Sequence, residues 1–388
     1  MDFCPRVVED FLRNYPIRIV HAEPKGRLIA VSDIHGRDDL FERIIERLKL
    51  QPEDTLVIAG DLVERGKQSL KVLRRAMALA ERENTFVLLG NMDANKHWQI
   101  MSDARETDEG LLQNYRSFGA SLFCDMCREI ELPLETAEDV KNAKKAVRQA
   151  FRRELDFIKD RPTVLDTPVW RFVHGGLWTN DIASLEGQPN SLLKYDDFVH
   201  TGPVMDKPLV VGHYPTNLYW EGAERVDPYW SAEKNVLSID GGCGLRVDAC
   251  LNAVILDKAV PGRFECVSED GFPRVCALDA QVFRAPTVRF VWPRNEAYIL
   301  RRGARSAIIR QVGTNAVTEA PNAYIEEEKS DGVYWINDFS DARLEVHPGD
   351  VLTLFAQAET GAYVGRDNLR GWYSGRFEDI EIEGNTNA

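Results

Sequence analysis

The sequence contains no apolar run that approaches the roughly 20 residues needed to cross a bilayer. Its opening segment, MDFCPRVVEDFLRNYP, carries acidic residues early and lacks the apolar stretch of a signal peptide. We therefore expect no membrane association, and a cytoplasmic protein follows as the default expectation.

Basic charge is also in deficit, with 48 Lys and Arg against 62 Asp and Glu and a formal net charge of −14. A protein that tracks the phosphates of nucleic acid needs a basic face, so a nucleic-acid partner is not expected. The same deficit argues against docking on an anionic membrane. Part of the negative charge is available to hold metal ions, which would partly neutralise it.

The cysteines do not indicate a disulfide framework, because they are odd in number and scattered. There are seven, at positions 4, 124, 127, 243, 250, 266 and 276. Cys124 and Cys127 form a single CxxC without a second pair. That pattern is more typical of a helical segment than of a zinc or redox site.

The chain has 388 residues, enough for one large α/β domain and a smaller module. Six short β-branched runs each end in a cluster of Gly, Asp, Asn or His. They are RLIAVS (27–32), TLVIAG (55–60), TFVLLG (85–90), WRFV (170–173), PLVVG (208–212) and NVLSI (235–239). Between the first three runs, residues 38–50 and 67–83 show the apolar spacing of helices. This alternation predicts an α/β fold with buried strands.

Two regions differ from that alternation. Residues 94–160 are long, charged and helical in pattern, which predicts a helical cap or insertion. After about residue 280, short alternating segments bounded by Gly, Asn, Asp and Pro predict all-β structure. We therefore predict a main domain over 1–280 and a small C-terminal β-rich domain over 281–388. The last stretch is similar to an SH3-like barrel, which would offer a surface to a protein partner.

Residues of metal-ligand type follow the predicted strands. In open α/β sheets the chemistry lies at the carboxyl ends of the strands, and Asp and His are ligands for Mn, Fe and Zn. Taken singly, most of these residues are better explained as a helix cap, a turn former or a structural histidine. A whole set at successive strand ends is harder to explain in that way. The set is Asp33, His35, Asp61, Asn91, His174 and His213.

This ligand set predicts two divalent cations about 3.5–4 Å apart, with Asp61 as the bridging carboxylate. Mn is the expected metal, and Fe and Zn are alternatives. A hydroxide that bridges the two ions would be the nucleophile for in-line attack on a phosphate ester. Arg65, on the loop after Asp61, can hold the phosphate through two hydrogen bonds.

The order of the motifs resembles the phosphoprotein phosphatase branch of the calcineurin-like metallophosphoesterases, which includes bacterial phosphatases and symmetrical diadenosine tetraphosphatases. The motifs are D-x-H-G, G-D-x-V-x-R-G, G-N, H-G-G and G-H-x-P, and the resemblance runs from about 27 to 257. It implies a four-layer α/β/β/α sandwich of two mixed sheets flanked by helices. It implies a first metal held by Asp33, His35 and Asp61, and a second held by Asp61, Asn91, His174 and His213.

The chain departs from that family pattern at the general acid. Family members place a histidine after Gly-Asn, whereas this chain has Met92, whose thioether cannot donate a proton. Glu64 stands where the acidic partner of that histidine is expected. Asp93 and His97 are the candidates to replace that histidine as proton donor. His97 is at least as well explained as a residue on a helix surface.

A second departure is the absence of an arginine between His174 and His213, where related phosphatases carry another phosphate clamp. Lys194 and Lys207 are candidate cations there, and each also reads as a solvent-facing residue. Asn91 and Lys194 join Arg65 as the expected substrate contacts.

The leading hypothesis is a two-metal hydrolase of a phosphomonoester, with a phosphoprotein or a nucleotide as substrate. A phosphodiesterase or nucleotide pyrophosphatase is the first alternative. A metal-binding scaffold whose catalysis has decayed is the second. Met92 and the missing arginine favour the alternatives, and the complete set of ligands favours an enzyme.

Overall fold

The computed structural model describes residues 10–380, and within them the chain forms two compact units. Of the described residues, the first unit comprises 10–216, 228–245 and 250–269. The second comprises 217–227, 246–249 and 270–380. No helix within residues 10–380 is both long and apolar enough to cross a membrane.

The secondary structure consists of eight α-helices, four short 3-10 helices and 24 strands over the described residues. The helices are α1 (Asp38–Leu48), α2 (Ser69–Leu79), α3 (Asn91–Met101), α4 (Arg105–Phe118), α5 (Leu122–Glu129), α6 (Ala137–Ala150), α7 (Arg152–Lys159) and α8 (Phe198–Thr201). The 3-10 helices are Asp10–Asn14, Ile182–Leu185, Thr216–Leu218 and Asn322–Tyr324. The first twelve strands are β1 (Ile19–His21), β2 (Leu28–Val31), β3 (Thr55–Ile58), β4 (Thr85–Val87), β5 (Val164–Asp166), β6 (Arg171–Val173), β7 (Leu209–Val211), β8 (Glu224–Arg225), β9 (Tyr229–Ser231), β10 (Val236–Ser238), β11 (Leu251–Leu256) and β12 (Phe264–Glu269). The others are β13 (Arg274–Ala277), β14 (Arg289–Phe290), β15 (Glu296–Arg302), β16 (Ser306–Gln311), β17 (Val317–Pro321), β18 (Ile325–Ser330), β19 (Val333–Ile336), β20 (Phe339–Ser340), β21 (Val351–Gln357), β22 (Ala362–Arg366), β23 (Leu369–Tyr373) and β24 (Phe377–Asp379).

Two mixed sheets form the centre of the first unit. One has the strand order β1-β5-β6-β7-β10-β9, and the other has the order β12-β11-β2-β3-β4. Strands β2, β3 and β4 run parallel to one another, as do β6, β7 and β10. The carboxyl ends of the strands within each parallel group therefore lie at one edge of their sheet, which is where the site residues follow.

The side chains of β2 and β3 alternate between two cores, as expected for a strand buried on both faces. Ala30 and Val57 pack in one core with residues of the other sheet, including Phe172 and Val210. The opposite face of β2 and β3 packs in a second core with residues of α1 and α2. The first unit thus stacks a sheet on a sheet and helices on the second sheet.

Helices α3 to α7 separate β4 from β5, in the region where the sequence predicts a helical cap or insertion. Only α8 and one short 3-10 helix lie between β6 and β7. The α/β domain is therefore confirmed, whereas the outer helical layer over the six-stranded sheet stays a prediction. Cys124 and Cys127 are buried in α5 as free thiols, in agreement with the reading of the CxxC as part of a helix.

The second unit is rich in antiparallel sheets, as the sequence predicts. Its sheets have the orders β24-β13-β21-β22-β23-β8, β17-β16-β15-β19-β18 and β14-β20. Tyr373 and Trp372 are buried in its cores, whereas Trp292 is 54% exposed. The SH3-like barrel and the protein partner stay predictions.

The last segment of the second unit begins at Asp270, so the predicted change at about 280 falls inside that segment. The reason is long-range pairing, because β13 lies between β21 and β24 in one sheet. Two short segments that the sequence assigns to the main domain also belong to this unit. Buried Arg246 joins them through ion pairs to Glu224 at 3.5 Å and to Asp248 at 2.8 Å.

Candidate metal centre

The six predicted metal ligands follow the ends of five strands of the first unit. Asp33 and His35 follow β2, Asp61 follows β3, and Asn91 opens α3 after β4. His174 follows β6 and His213 follows β7. Four of these residues have a left-handed backbone conformation that L-residues rarely adopt, and such strain concentrates at functional sites. They are Asp33 (φ 54°), His35 (49°), Asp61 (53°) and His213 (67°).

Three of the ligands form a compact buried group. Ligand atoms of Asp33, Asp61 and His174 all lie within 4.8 Å of one another. His35 is buried beside them, with its Nε2 3.8 Å from Asp33 Oδ1 and 3.7 Å from Asp61 Oδ2. The residues that the family resemblance assigns to the first metal therefore converge.

The remaining ligands meet at Asn91. Its Oδ1 lies 2.9 Å from His174 Nε2 and 2.9 Å from His213 Nδ1. His174 Nε2 is also 3.4 Å from Asp61 Oδ1. The structure therefore brings all six predicted residues together, in two groups that share Asp61 and His174.

The donor set fits bound cations. Both ring nitrogens of His174 face acceptors, because Nδ1 lies 2.9 Å from the Ala59 carbonyl and Nε2 faces Asn91 and Asp61. Burial opposes protonation of His174, yet the carboxylates of Asp61 and Asp33 outweigh it and raise the pKa to about 10. The site thus favours positive charge at this position. A metal ion supplies such charge, and the Ala59 carbonyl would fix the ring so that Nε2 is the ligand atom.

Hydrogen bonds from neighbouring residues orient the ligands. Ser32 donates from its hydroxyl to Asp33 Oδ2 at 2.6 Å, and the backbone N–H of Met92 donates to Asp61 Oδ1 at 2.8 Å. The far nitrogen of His213, Nε2, lies 2.8 Å from Asp196 Oδ1. Mutation of such partners of the ligands typically reduces metal affinity or activity about 10–100-fold.

Asp240 is a site residue that the sequence analysis did not identify. It is fully buried, and its Oδ1 accepts a hydrogen bond from the Gly242 N–H at 2.7 Å. Burial and the nearby charge of Asp33 raise its pKa well above the ordinary value. Its position directly after NVLSI, another predicted strand end, was the available signal.

Two glycines allow the loops to pass close to the ligand carboxylates. A Cβ at Gly90 would lie 2.1 Å from Asp61 Oδ1, and one at Gly212 would lie 2.2 Å from Asp33 Oδ2. Both distances are shorter than any real contact. The glycines of the G-N and G-H motifs are therefore required by the ligand geometry.

The structure gives the proposed acid Asp93 a structural role. Its Oδ1 accepts from the N–H groups of Leu62 and Val63, and its Oδ2 accepts from the N–H of Gly90. Burial and the charge of Asp61 raise its pKa to about 7. Both oxygens are thus occupied by backbone donors, which disfavours the predicted role of Asp93 in proton transfer.

The other two candidates for acid chemistry are also held elsewhere. His97 is buried, with Nδ1 2.5 Å from the Tyr15 hydroxyl, and burial lowers its pKa to about 4. Glu64 is buried against Lys96 at 3.1 Å and accepts from the Leu122 N–H at 2.9 Å. Neither arrangement supports the predicted role of these residues in catalysis.

The residues that the sequence suggests as phosphate contacts differ in their exposure and in their partners. Arg65 is exposed on the loop after β3, and its side chain has no ion pair or hydrogen bond with any residue among 10–380. Lys194 is also exposed, on the segment between β6 and β7. Lys207 instead donates to Asp166 at 2.8 Å and to the Thr167 carbonyl at 2.7 Å, so it does not serve as a phosphate clamp.

Comparison with known proteins identifies the family. The model of the calcineurin-like phosphoesterases matches residues 26–240, more than half of the chain. The chain belongs to this family. The predicted family and the predicted class of enzyme, a phosphoesterase hydrolase, are therefore confirmed at the level of the family.

Individual relatives are similar over short segments. The chain is 46% identical over 67 residues to a symmetrical bis(5'-nucleosyl)-tetraphosphatase of Acidovorax ebreus, a match that covers 17% of this chain and 23% of the relative. It is 43% identical over 65 residues to the enzyme of the same name from Xanthomonas axonopodis, covering 16% and 20%. The match thus spans about a quarter or less of the length of these curated relatives.

Among solved structures, a protein serine/threonine phosphatase of Saccharomyces cerevisiae is similar to this chain. The sequence identity is 13% and the TM-score is 0.38, with 67% of this chain and 86% of the phosphatase covered.

We predict that Gly212→Ala weakens Mn²⁺ binding at least about tenfold, because the new Cβ forces the Asp33 carboxylate to move. Isothermal titration calorimetry with Mn²⁺ measures this. The control is Gly110→Ala in α4, where the nearest atom to a new Cβ is 3.8 Å away. That variant should bind Mn²⁺ as the wild type does and gain up to about 1 kcal/mol in stability. Wild-type affinity in Gly212→Ala would contradict the geometry.

We also predict a pH-dependent stability effect of His97. Its pKa of about 4 lies below the value near 6.5 of an unfolded histidine, so the unfolded chain binds the proton more readily. The free energy of unfolding should therefore fall as the pH drops from about 6.5 toward 4, by up to about 1.4 kcal/mol per unit. His97→Gln should remove this part of the loss. Urea denaturation of metal-free protein across this pH range measures it.

The exposed histidine His347 provides the control, because its side chain is 63% exposed. His347→Gln should give a stability curve parallel to that of the wild type. If the stability curve of His97→Gln were also parallel to that of the wild type, His97 would have the same pKa in the folded and unfolded protein. That result would contradict the prediction.

Proposed function

We propose that the chain is a two-metal phosphoesterase that hydrolyses a phosphomonoester, either of a phosphoprotein or of a nucleotide. The observation that carries the proposal is the convergence of six carboxylate, amide and imidazole ligands at the strand ends. A decayed scaffold would be expected to have lost some of these residues, so the complete set supports an enzyme over the scaffold.

Divalent cations, with Mn as the first candidate, would supply Lewis-acid charge and lower the pKa of water in this centre. The chain's own residues bind and orient the substrate. Arg65 presents a planar fork of donors to the phosphate oxygens. The Oδ1 of Asn91 faces the two histidines, which leaves its NH₂ group to donate to a phosphate oxygen.

The residues at the positions of the family's general acid and its partner determine which esters the site would cleave well. Met92 cannot donate a proton, and the carboxylate of Glu64 is held by Lys96. General acid catalysis typically contributes 10²–10⁴-fold, and it matters most for leaving groups of high pKa. We therefore expect esters of acidic leaving groups to be favoured over alkyl phosphates such as phosphoserine.

The same observation supports a nucleotide pyrophosphatase or phosphodiesterase as the second candidate. A nucleoside polyphosphate leaves as a stable anion and needs little protonation. The tetraphosphatase names of the relatives agree with this alternative, although the similarity to them covers 17% or less of this chain.

Hydrolysis of p-nitrophenyl phosphate and of bis-p-nitrophenyl phosphate by Mn²⁺-supplemented protein tests the proposal. We predict metal-dependent turnover that falls at least about a hundredfold in Asp61→Asn, because the buried carboxylate at the centre of the site loses its charge. Faster hydrolysis of p-nitrophenyl phosphate would indicate a monoesterase, and faster hydrolysis of bis-p-nitrophenyl phosphate would indicate a diesterase.

The matched control is Asp331→Asn, an exposed turn residue of the second unit, which should keep full activity. Turnover of both esters that survives in Asp61→Asn would contradict the metal centre. Mn²⁺ binding without turnover of either ester would favour the scaffold.

A further inference from the structure

The loop that carries Arg65 has an unusual backbone. Glu64 (φ 75°) and Arg65 (φ 68°) are consecutive non-glycine residues in the left-handed region. L-residues visit this region singly and at a cost, so two in a row require support from the surrounding structure. The loop is therefore held in place by contacts outside itself.

The side chain of Glu64 makes one set of those contacts, beside backbone hydrogen bonds such as that from the Gly66 N–H to the His35 carbonyl at 2.8 Å. Glu64 Oε2 lies 3.1 Å from Lys96 Nζ, and its Oε1 accepts from the Leu122 N–H at 2.9 Å. The two charged side chains are only 6% and 2% exposed. Lys96 also donates to Gln99 Oε1 at 2.8 Å. Because a charge at such depth is tolerated only when it is paired, the contact between Glu64 and Lys96 persists in the folded protein.

Helix α3 supplies partners to three consecutive residues that precede Arg65 in the loop. Lys96 holds Glu64, and Asp93 accepts from the N–H groups of Leu62 and Val63. The first residue of the same helix is Asn91, which meets the two histidines of the metal centre. The helix thus links the loop of Arg65 directly to a ligand residue.

Arg65 itself is exposed and has no protein partner among residues 10–380. Its side chain is therefore free for an anion, but its direction depends on the backbone that carries it. A guanidinium binds phosphate through a fork of fixed geometry, so a small change in that backbone reduces the affinity.

We propose that the buried Lys96–Glu64 pair positions Arg65 for binding of the substrate phosphate. Lys96 is a positioning residue, which acts through the loop and does not touch the substrate. The inference rests on the proposed function, in which Arg65 contacts the phosphate.

The test compares Lys96→Met with Lys144→Met in the full chain. Lys144 is an equally buried lysine, 2% exposed and paired with Asp108 at 2.6 Å within the helical insertion. Calorimetry with inorganic phosphate on Mn²⁺-supplemented protein needs no turnover, so it gives a result even if hydrolysis fails. Kinetics with p-nitrophenyl phosphate and thermal melting complete the comparison.

We expect Lys96→Met to weaken phosphate binding about tenfold and to raise KM by a similar factor, with kcat changed less than about threefold. Lys144→Met should lower the melting temperature without either change. Lys96→Arg, which keeps the charge, should bind phosphate within about twofold of the wild type.

The effect of the Lys96–Glu64 pair on phosphate binding should depend on Arg65, which a double-mutant cycle tests. Once Arg65→Met has removed the guanidinium, Lys96→Met should weaken phosphate binding no further. Unchanged phosphate affinity in Lys96→Met, or losses that add in the double variant, would overturn the proposal. If Lys96→Met does not fold, Glu64→Gln carries the same test, since it keeps an acceptor for the Leu122 N–H and removes the charge.

Discussion

The concentration of buried negative charge at the strand ends is the constraint on which the rest of the structure depends. Asp33, Asp61 and Asp240 are each 2% exposed or less and lie in one region of the first unit. Carboxylates at that depth are stable only when cations, hydrogen bonds or protons compensate them. The imidazoles of His35 and His174 beside them complete a donor set that suits divalent metal ions.

This constraint also shapes the backbone around the site. Left-handed residues turn the chain sharply after the strands, so that ligands from different strands point at one centre. The glycines at positions 90 and 212 let the neighbouring loops pass against the carboxylates. The sheets bring these turns together, because parallel strands place their carboxyl ends at one edge. The arrangement of the strands in the sheets therefore sets the positions of the ligands relative to one another.

The sequence predicts the ligands well because each of them follows a recognisable strand, which local patterns reveal. The same patterns do not show the partners that a side chain meets across the fold. Asp93 is a plausible acid by type, yet its oxygens serve backbone N–H groups. Lys96 looks like an ordinary helical lysine until its burial against Glu64 is seen. The start of the second unit is likewise set by the distant pairing of β13 with β21.

Electron paramagnetic resonance of Mn²⁺-titrated protein tests most directly the proposal that the site binds two metal ions close to each other. Ions about 3.5–4 Å apart that share a bridging ligand are magnetically coupled. We predict two Mn²⁺ per chain and a coupled spectrum at saturation. A single ion per chain, or two ions with uncoupled spectra, would contradict the proposal.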